Sequence, residues 1–277
     1  MRKLTIKNLI QRTLTGIVFV IVIVAAISIH PLLFGGVFTL FVGLLIHELY
    51  ALIKDEGPLW VRWLGIAAGM YLFTASCLFS GGYTGSVIYL PYLLVLLILF
   101  VSGLYTHTAN PVRQWGNMLF AQCYCAGALS FLCFISYLHA PIYDPWPVLM
   151  IFIVIWLYDT GAFLIGIWLG KHRLFERISP LKSWEGFFGG FAVVMVASVT
   201  FAHYFPALSI MQWLIFGVLI VVSATFGDLM ESLLKRTCRV KDSGDILPGH
   251  GGVLDRFDSV LLSAPAVYIF FEWVTRS

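Results

Sequence analysis

Long apolar runs, separated by short breaks that carry charge, glycine or proline, dominate this chain. A helix needs about 20 mostly apolar residues to cross a bilayer, because its backbone polar groups must be bonded within the segment. His30-Pro31 leaves only a tight turn between the first two runs. The pattern predicts nine transmembrane helices, at 14–30, 34–53, 60–79, 86–104, 117–138, 147–169, 185–204, 211–233 and 259–274.

The composition supports a membrane protein. Hydrophobic residues make up 60% of the 277 residues, charged residues make up 11%, and the mean hydropathy is +0.92. A soluble domain has about 25% charged residues, so the composition excludes a water-soluble enzyme. We predict one all-α polytopic membrane domain over 1–277. Its N-terminal spans, 1–138, carry few diagnostic residues, and the half at 147–274 carries the candidate chemistry on loops 170–184 and 235–258.

The basic residues predict an orientation. With the N-terminus in the cytoplasm and nine alternating spans, 16 of the 17 basic residues fall on the cytoplasmic side, as the positive-inside rule expects. The pattern predicts an N-in, C-out topology, so the net charge of +3 describes a membrane face and no nucleic-acid partner is expected. The basic N-terminus resembles a signal peptide but lacks a clear cleavage site, so we expect an uncleaved first span. The sixteen residues are Arg2, Lys3, Lys7, Arg12, Lys54, Arg62, Arg113, Lys171, Arg173, Arg177, Lys182, Lys235, Arg236, Arg239, Lys241 and Arg256.

Five acidic side chains lie inside or at the ends of predicted spans. An ionisable group there costs several kcal/mol unless it is paired or solvated, which makes each one a candidate functional residue. Asp159 belongs to the sixth span. Asp228 and Glu231 are three residues apart in the eighth, on one helix face, and Asp255 and Asp258 repeat this spacing where the chain enters the ninth. All five fall in the predicted cytoplasmic half.

Two interpretations of these acids remain open. Converging carboxylates without Cys or His suit a hard cation such as Mg²⁺, which takes oxygen ligands and keeps waters for substrate phosphates. The alternative is that the acids only pair with neighbours or reach the interface: Glu231 and Lys235 have favourable i, i+4 spacing, and Asp255 and Arg256 could snorkel to the membrane surface.

The segment from 228 to 258 is the most highly charged part of the chain, with 11 of the 31 charges in 31 residues. Its basic side chains can neutralise phosphates, and its glycine-rich turn at 247–252 lets backbone N–H groups approach an anion. Together with the paired aspartates, these features predict a site for a nucleotide polyphosphate and a metal ion. The basic residues are Lys235, Arg236, Arg239, Lys241 and Arg256.

The loop at 170–184 is a second candidate. Ser179, Lys182 and Ser183 lie beside a helix start, where Glu185 suits the positive end of the helix dipole. An ordinary loop with a helix cap is the alternative. Beside the first site, these residues are predicted to bind a lipid phosphate.

Several other polar residues receive no role. His47 and Glu48 in the second span look isolated. The five cysteines lack metal or redox spacing, and four are expected to be packing residues. These four are Cys77, Cys123, Cys125 and Cys133.

The order of residues in the charged segment is recognisable. It runs Ser232-x-x-Lys235-Arg236, four residues, Lys241-Asp242-x-Gly244, then Leu247-Pro248-x-His250-Gly251-Gly252-x-x-Asp255-Arg256-x-Asp258. Upstream are Gly227-Asp228-Leu229-x-Glu231-Ser232, Asp159-x-Gly161-Ala162-Phe163 and Ile178-Ser179-Pro180-x-Lys182-Ser183-Trp184-Glu185-Gly186. This set resembles the phosphatidate cytidylyltransferases (CDP-diacylglycerol synthases). Leu181 and Ser183 depart modestly from that pattern, and the N-terminal spans resemble the family only in being hydrophobic.

The resemblance implies that CTP and phosphatidate react to give CDP-diacylglycerol and pyrophosphate at the cytoplasmic face of a bacterial-type inner membrane. It implies Mg²⁺ or another divalent cation, with a second cation and a homodimer left open. The hypothesis assigns catalysis to Asp228, Asp255, Asp258 and Lys235; metal binding to Asp228, Glu231, Asp255 and Asp258, with Asp159 auxiliary; nucleotide or phosphate binding to Lys235, Arg236, Lys241, His250, Gly251, Gly252 and Arg256; and lipid-phosphate binding to Ser179, Lys182 and Ser183. Specific roles for His250 and Asp242 stay open.

Two other functions remain as alternatives. A CTP-dependent kinase of a polyprenol or another lipid alcohol would use the same membrane, nucleotide and metal. An ion-coupled transporter would also place acids inside spans, but it predicts broken helices and inverted repeats, which the sequence does not show.

Overall fold

The computed structural model describes the backbone of residues 6–54, 57–106, 110–246 and 251–276, and side chains from 13 to 275 within those ranges. The described chain is mostly helical. Its helices are α1 (Ile6–Ile29), α2 (Pro31–Leu52), α3 (Leu59–Ser80), α4 (Leu90–Ser102, preceded by a 3-10 turn at Ser86–Tyr89), α5 (Pro111–Ala121), α6 (Ala128–Ser136, joined to α5 by π-helical Gln122–Gly127), α7 (Trp146–Leu169), α8 (Trp184–Tyr204), α9 (Ile210–Thr237) and α10 (Leu254–Arg276).

Side-chain caps and prolines explain several helix starts. His30 accepts a hydrogen bond from the backbone N–H of Leu32 at 3.1 Å, and Pro31 is the first residue of α2, which confirms the expected tight turn. Asn110 caps α5 through the N–H of Arg113 at 3.0 Å. Ser209 begins α9 with a capping box.

The helices are those of an integral membrane protein. Each predicted span coincides with a helical stretch, and seven of these stretches in the described ranges are long and apolar enough to cross a membrane. Two further apolar helices, Thr13–Ile29 and Ser86–Ser102, are shorter. The count of nine spans and the N-in, C-out orientation therefore stay predictions. The seven are Pro31–Leu52, Leu59–Ser80, Pro111–Ser136, Trp146–Leu169, Trp184–Tyr204, Ile210–Thr237 and Leu254–Thr275.

The two halves of the chain share one hydrophobic core. In the C-terminal half α7 packs against α8, and α9 packs against both α8 and α10. The Phe38 ring of α2 lies 6.2 Å from that of Phe152 on α7 and 6.1 Å from that of Phe257 on α10, between ring centroids. The N-terminal helix α2 thus packs directly against the helix that carries Asp255 and Asp258.

Two local features differ from the sequence-based expectations. The loop at 170–184 contains an antiparallel hairpin of β1 (Arg173–Phe175) and β2 (Ser179–Ser183), so the fold is not purely helical. Cys77 and Cys133, expected to be packing residues, form a disulfide between α3 and α6. Neither feature has a hydrophobic periodicity by which the sequence would reveal it.

Candidate active site

Lys235 is the centre of a buried ion-pair group at the C-terminal end of α9. Its ammonium group contacts the carboxylate of Glu231, one turn earlier, and lies 2.6 Å from Oδ1 of Asp255 on α10. The Glu231 side chain is completely buried, and those of Lys235 and Asp255 are 15% and 10% exposed. The i, i+4 pair that the sequence left open as an alternative for Glu231 is present, and Asp255 shares the same cation.

Asp255 also fixes the chain that leads into α10. Its Oδ2 accepts hydrogen bonds from the N–H of Gly252 at 2.8 Å, and from the N–H and hydroxyl of Ser243 at 3.0 and 2.9 Å. Both oxygens of this carboxylate are therefore engaged by protein donors. Asp255 joins three segments, namely α9, the 242–244 turn and the start of α10.

Asp228 lies in a second ion-pair group. Its Oδ2 contacts the ammonium group of Lys182, on strand β2, and its Oδ1 accepts a hydrogen bond from the hydroxyl of Ser232 at 3.2 Å. The side chains of Lys182 and Asp228 are 27% and 32% exposed, so this pair is more accessible than the Lys235 group. The structure thus brings together a predicted metal ligand and a predicted lipid-phosphate residue.

A cavity of about 190 Å³ opens between α1, α7 and α10, next to these groups. One part of its lining is charged and the other part is apolar, which suits a ligand with a polar head and a hydrophobic portion. Asp159, Asp228 and Asp258 lie close enough together for their carboxyl groups to interact electrostatically. The charged lining is Asp159, Asp255, Arg256 and Asp258, and the apolar lining includes Phe19, Ile23, Phe152 and Trp156.

Gly227 brings α9 and α10 together beside the aspartates. A Cβ atom at this position would lie 2.4 Å from the carbonyl oxygen of Asp258 and 3.1 Å from Cα of Ser259. Both neighbours are backbone atoms, which cannot rotate away, so this contact requires glycine. The close approach holds Asp228, the next residue on α9, near Asp258.

The β-hairpin residues have mainly structural contacts. Ser183 caps α8 by accepting a hydrogen bond from the N–H of Gly186 at 3.1 Å, and its side chain is buried. Ser179 pairs with Phe175 in the hairpin. The guanidinium of Arg236 donates to the carbonyl of Ile178 at 3.2 Å, which ties α9 to the hairpin. Lys182, one of the three predicted lipid-phosphate residues, forms an ion pair with the acid cluster through Asp228.

Only part of the glycine-rich turn lies in the described chain. Residues 247–250, including His250, are outside it. Gly251 has a φ of +80°, a conformation that L side chains rarely adopt, and Gly252 donates to Asp255. Lys241 is exposed and lies in the turn that precedes Ser243.

Glu48 corrects a sequence-based expectation. It looked isolated, yet its buried carboxylate accepts hydrogen bonds from the N–H groups of Val253 and Leu254 at 2.9 and 2.8 Å. An acid inside an apolar span is the one sign of this contact in the sequence, because the partners lie about two hundred residues further along the chain. Glu48 therefore belongs to the surroundings of the site.

Acidic side chains outnumber basic side chains around the site. Around the cavity and the two ion-pair groups, five carboxylates face three basic side chains, which leaves two negative charges in excess if all are ionised. Within the described ranges, no group of three or more His, Cys, Asp or Glu side chains is already arranged to hold a metal ion. The oxygen donors are of the kind that a hard divalent cation takes, but these side chains are not arranged as its ligands in the described structure. The acids are Asp159, Asp228, Glu231, Asp255 and Asp258, and the bases are Lys182, Lys235 and Arg256.

Comparison with known proteins gives one consistent family. The chain is 45% identical over 124 residues to a phosphatidate cytidylyltransferase of Staphylococcus aureus, an alignment that covers 44% of this chain and 47% of that protein. The corresponding Staphylococcus epidermidis protein is 47% identical over the same length and shares of each chain. A Haemophilus influenzae phosphatidate cytidylyltransferase is 36% identical over 190 residues, 65% of each chain. The chain thus spans about half the length of the staphylococcal relatives. The sequence model of the Cytidylyltransferase family matches residues 10–274, nearly the whole chain, and the chain therefore belongs to the Cytidylyltransferase family.

Proposed function

We propose that this protein transfers CMP from CTP to phosphatidate and so produces CDP-diacylglycerol and pyrophosphate for phospholipid synthesis. Family membership and the names of the relatives support the reaction class. The observation that carries the proposal is the cavity beside the acid cluster, because it combines charged groups with an apolar wall. Such a lining suits a lipid whose phosphate must meet a nucleotide at the membrane surface.

The reaction needs positioning and charge neutralisation more than proton transfer. A phosphate oxygen of phosphatidate attacks the α-phosphorus of CTP, and the bond from that phosphorus to the oxygen bridging to the β-phosphate breaks. Pyrophosphate leaves with the bonding electrons. The attacking phosphate is already ionised, so the barrier lies mainly in bringing two anions together. In this proposal Lys235, Arg236, Lys241 and Arg256 neutralise the triphosphate, together with the turn of His250, Gly251 and Gly252.

We propose Mg²⁺ or another divalent cation as cofactor. Bound there, it would supply positive charge to the phosphate oxygens. Asp228 and Asp258, with Asp159, are the residues that would hold it, and the excess negative charge of the site supports this. Glu231 and Asp255 remain auxiliary candidates, since Lys235 engages both of them. A second cation and a homodimer remain open.

The lipid phosphate would bind beside the hairpin. Lys182 is the best-supported residue for this role, because its ammonium group already interacts with a carboxylate of the site and remains partly exposed. Ser179 is half-buried on the same strand. Ser183 caps α8, so it would act by holding the strand end rather than through its hydroxyl. The site would face the cytoplasm of a bacterial inner membrane, as the positive-inside pattern supports.

The test uses the purified full-length protein with phosphatidate micelles, Mg²⁺ and labelled CTP. Label at the α-phosphate should appear in the lipid product, and label at the γ-phosphate should appear in pyrophosphate. A CTP-dependent lipid kinase would instead put the γ-label on lipid. Asp258→Asn should lose transfer, whereas Asp245→Asn, an exposed aspartate of the same segment, should retain it. Full transfer by a folded Asp258→Asn protein would refute the assignment of Asp258.

A further inference from the structure

Glu48 stands apart from the other acids because it lies in the N-terminal half of the chain. It belongs to α2, one turn before the last residue, and is 2% exposed. None of the ion pairs found among the described residues includes it. A buried carboxylate without a cation needs strong hydrogen-bond donors, and here they come from the start of α10.

The two oxygens of Glu48 bind two successive backbone amides. Oε1 accepts from the N–H of Val253 at 2.9 Å, and Oε2 accepts from that of Leu254 at 2.8 Å. These N–H groups lie at the beginning of α10, where a helix has unpaired donors and a positive dipole end. The carboxylate of a distant helix therefore caps α10.

Glycines make room for this carboxylate. A Cβ atom on Gly252 would lie 2.5 Å from Oε2 of Glu48, and a Cβ atom on Gly244 would lie 2.8 Å from Oε1. Any larger residue at either position would push against the carboxylate. Gly244 and Gly252 thus lie against Glu48, just as Gly252 and Ser243 lie against Asp255.

Asp255 holds the same stretch of backbone from the other direction. The N–H of Gly252 binds Asp255, and the next two N–H groups bind Glu48. Three consecutive amides are therefore fixed by two carboxylates, one from α2 and one from α10. This arrangement sets where α10 begins, and so where Asp255 and Asp258 lie relative to Lys235 and Asp228.

We propose that Glu48 is a positioning residue for the reaction: it fixes the start of α10 and thereby the side chains of Asp255 and Asp258. The proposal rests on the proposed function, since its kinetic consequence is read through CMP transfer. Glu48→Gln keeps the shape of the side chain but replaces one acceptor oxygen by an NH₂ group, which cannot accept the amide hydrogen. A displacement of about 1 Å at a reacting group is enough to reduce the rate about 100-fold.

The experiment compares Glu48→Gln with Phe34→Ala in the purified full-length protein. Phe34 is a buried residue of the same helix, about 21 Å along it from Glu48, so this control disturbs the core but not the cap. We expect Glu48→Gln to lower kcat by roughly 10- to 100-fold, with the KM for CTP changed less than about twofold. In Glu48→Gln, amide hydrogen exchange should become faster for peptides that contain residues 252–254. Phe34→Ala should leave both kcat and this exchange near the wild-type values, even if it lowers Tm as much as Glu48→Gln or more.

Several results would overturn the proposal. Unchanged kcat in folded Glu48→Gln, or a loss no larger than that of Phe34→Ala, would show that Glu48 contributes only to the core. If Glu48→Gln does not fold, Gly244→Ala moves the carboxylate without removing it, and full kcat in that variant would refute the positioning role. Where Glu48→Gln and Gly244→Ala both fold, the double variant should lose less kcat than the product of the two single losses, because both changes disturb the same contact.

Failure of the proposed function would look different. A wild-type protein that makes no labelled CDP-lipid would refute CMP transfer to phosphatidate. The hydrogen-exchange measurement would still show whether Glu48 holds the start of α10, because the protection of residues 252–254 either falls in Glu48→Gln or stays at the wild-type level.

Discussion

Gly227→Ala tests whether the contact between α9 and α10 sets the spacing of Asp228 and Asp258. The new Cβ atom would lie 2.4 Å from the carbonyl oxygen of Asp258, whereas ordinary contacts begin near 3.4 Å, so the helices must separate by about 1 Å. Overpacking of this kind costs about 1–3 kcal/mol, and alanine returns up to about 1 kcal/mol of helix propensity. The expected net loss of stability is therefore about 0–3 kcal/mol.

The effect on activity should be larger than the effect on stability. A 1 Å displacement of catalytic groups lowers rates by about 100-fold, which corresponds to about 2.7 kcal/mol of barrier. We expect Gly227→Ala to fold, with a Tm only a few degrees lower, and to lose about 99% of kcat. The assay is transfer of α-labelled CMP to phosphatidate by protein whose folded fraction is measured by thermal unfolding.

Gly217→Ala is the matched control on the same helix. The nearest atoms to its Cβ would be side-chain and not backbone atoms of α8, at 2.6 Å from Oγ of Ser198 and 3.0 Å from both Cε of Met195 and Cγ1 of Val194. It gains the same helix propensity and lies away from the site. If Gly227→Ala kept kcat within about twofold of Gly217→Ala, the helix contact would not set the geometry of the aspartates.

Three further predictions concern charge, metal and orientation. Lys235→Gln should lower the free energy of unfolding by about 3–5 kcal/mol, because two buried carboxylates lose their cation. Glu231→Gln keeps the pair between Lys235 and Asp255 and should cost less. Equal losses, measured by denaturation in detergent, would contradict the shared pair. Chelation by EDTA should abolish CMP transfer and added Mg²⁺ should restore it, and transfer that persists through chelation would exclude the proposed cofactor. Alkaline phosphatase fused after Ser277 should be active, since the C-terminus is predicted outside the cytoplasm, and an inactive but expressed fusion would contradict the nine-span topology.

The helices were predictable from apolar length, but their polar ends were not. The predicted eighth span stops at 233, whereas α9 continues to Thr237 and carries Lys235 in its last turns. The predicted ninth span starts at 259, whereas α10 starts at Leu254 and includes both Asp255 and Asp258. A search for membrane-spanning segments ends each span where polar residues begin, and in this protein those polar turns form the site.

The spacing of the acids identified the candidates but could not assign different contacts to them. Asp255 and Asp258 have the same i, i+3 relation as Asp228 and Glu231, so sequence reasoning treated them alike. In the fold both border the cavity, but Asp255 is engaged on both oxygens by Lys235, Ser243 and Gly252, whereas Oδ1 of Asp258 accepts from the N–H of the next residue at 2.6 Å. This division depends on which helix lies opposite each side chain, and one sequence does not contain that information.

The contacts of α2 also limit how far the chemistry can be ascribed to the C-terminal half. Recognisable residues are concentrated at 147–274, which suggests that this half works alone. Yet a fragment of that length would leave the Val253 and Leu254 amides without Glu48, and would remove Phe38 from its place against Phe152 and Phe257. Buried amides without acceptors cost about 1–3 kcal/mol each, so the start of α10 would shift toward water. The family model matches from residue 10 onward, so the N-terminal helices belong to the matched region together with the C-terminal half.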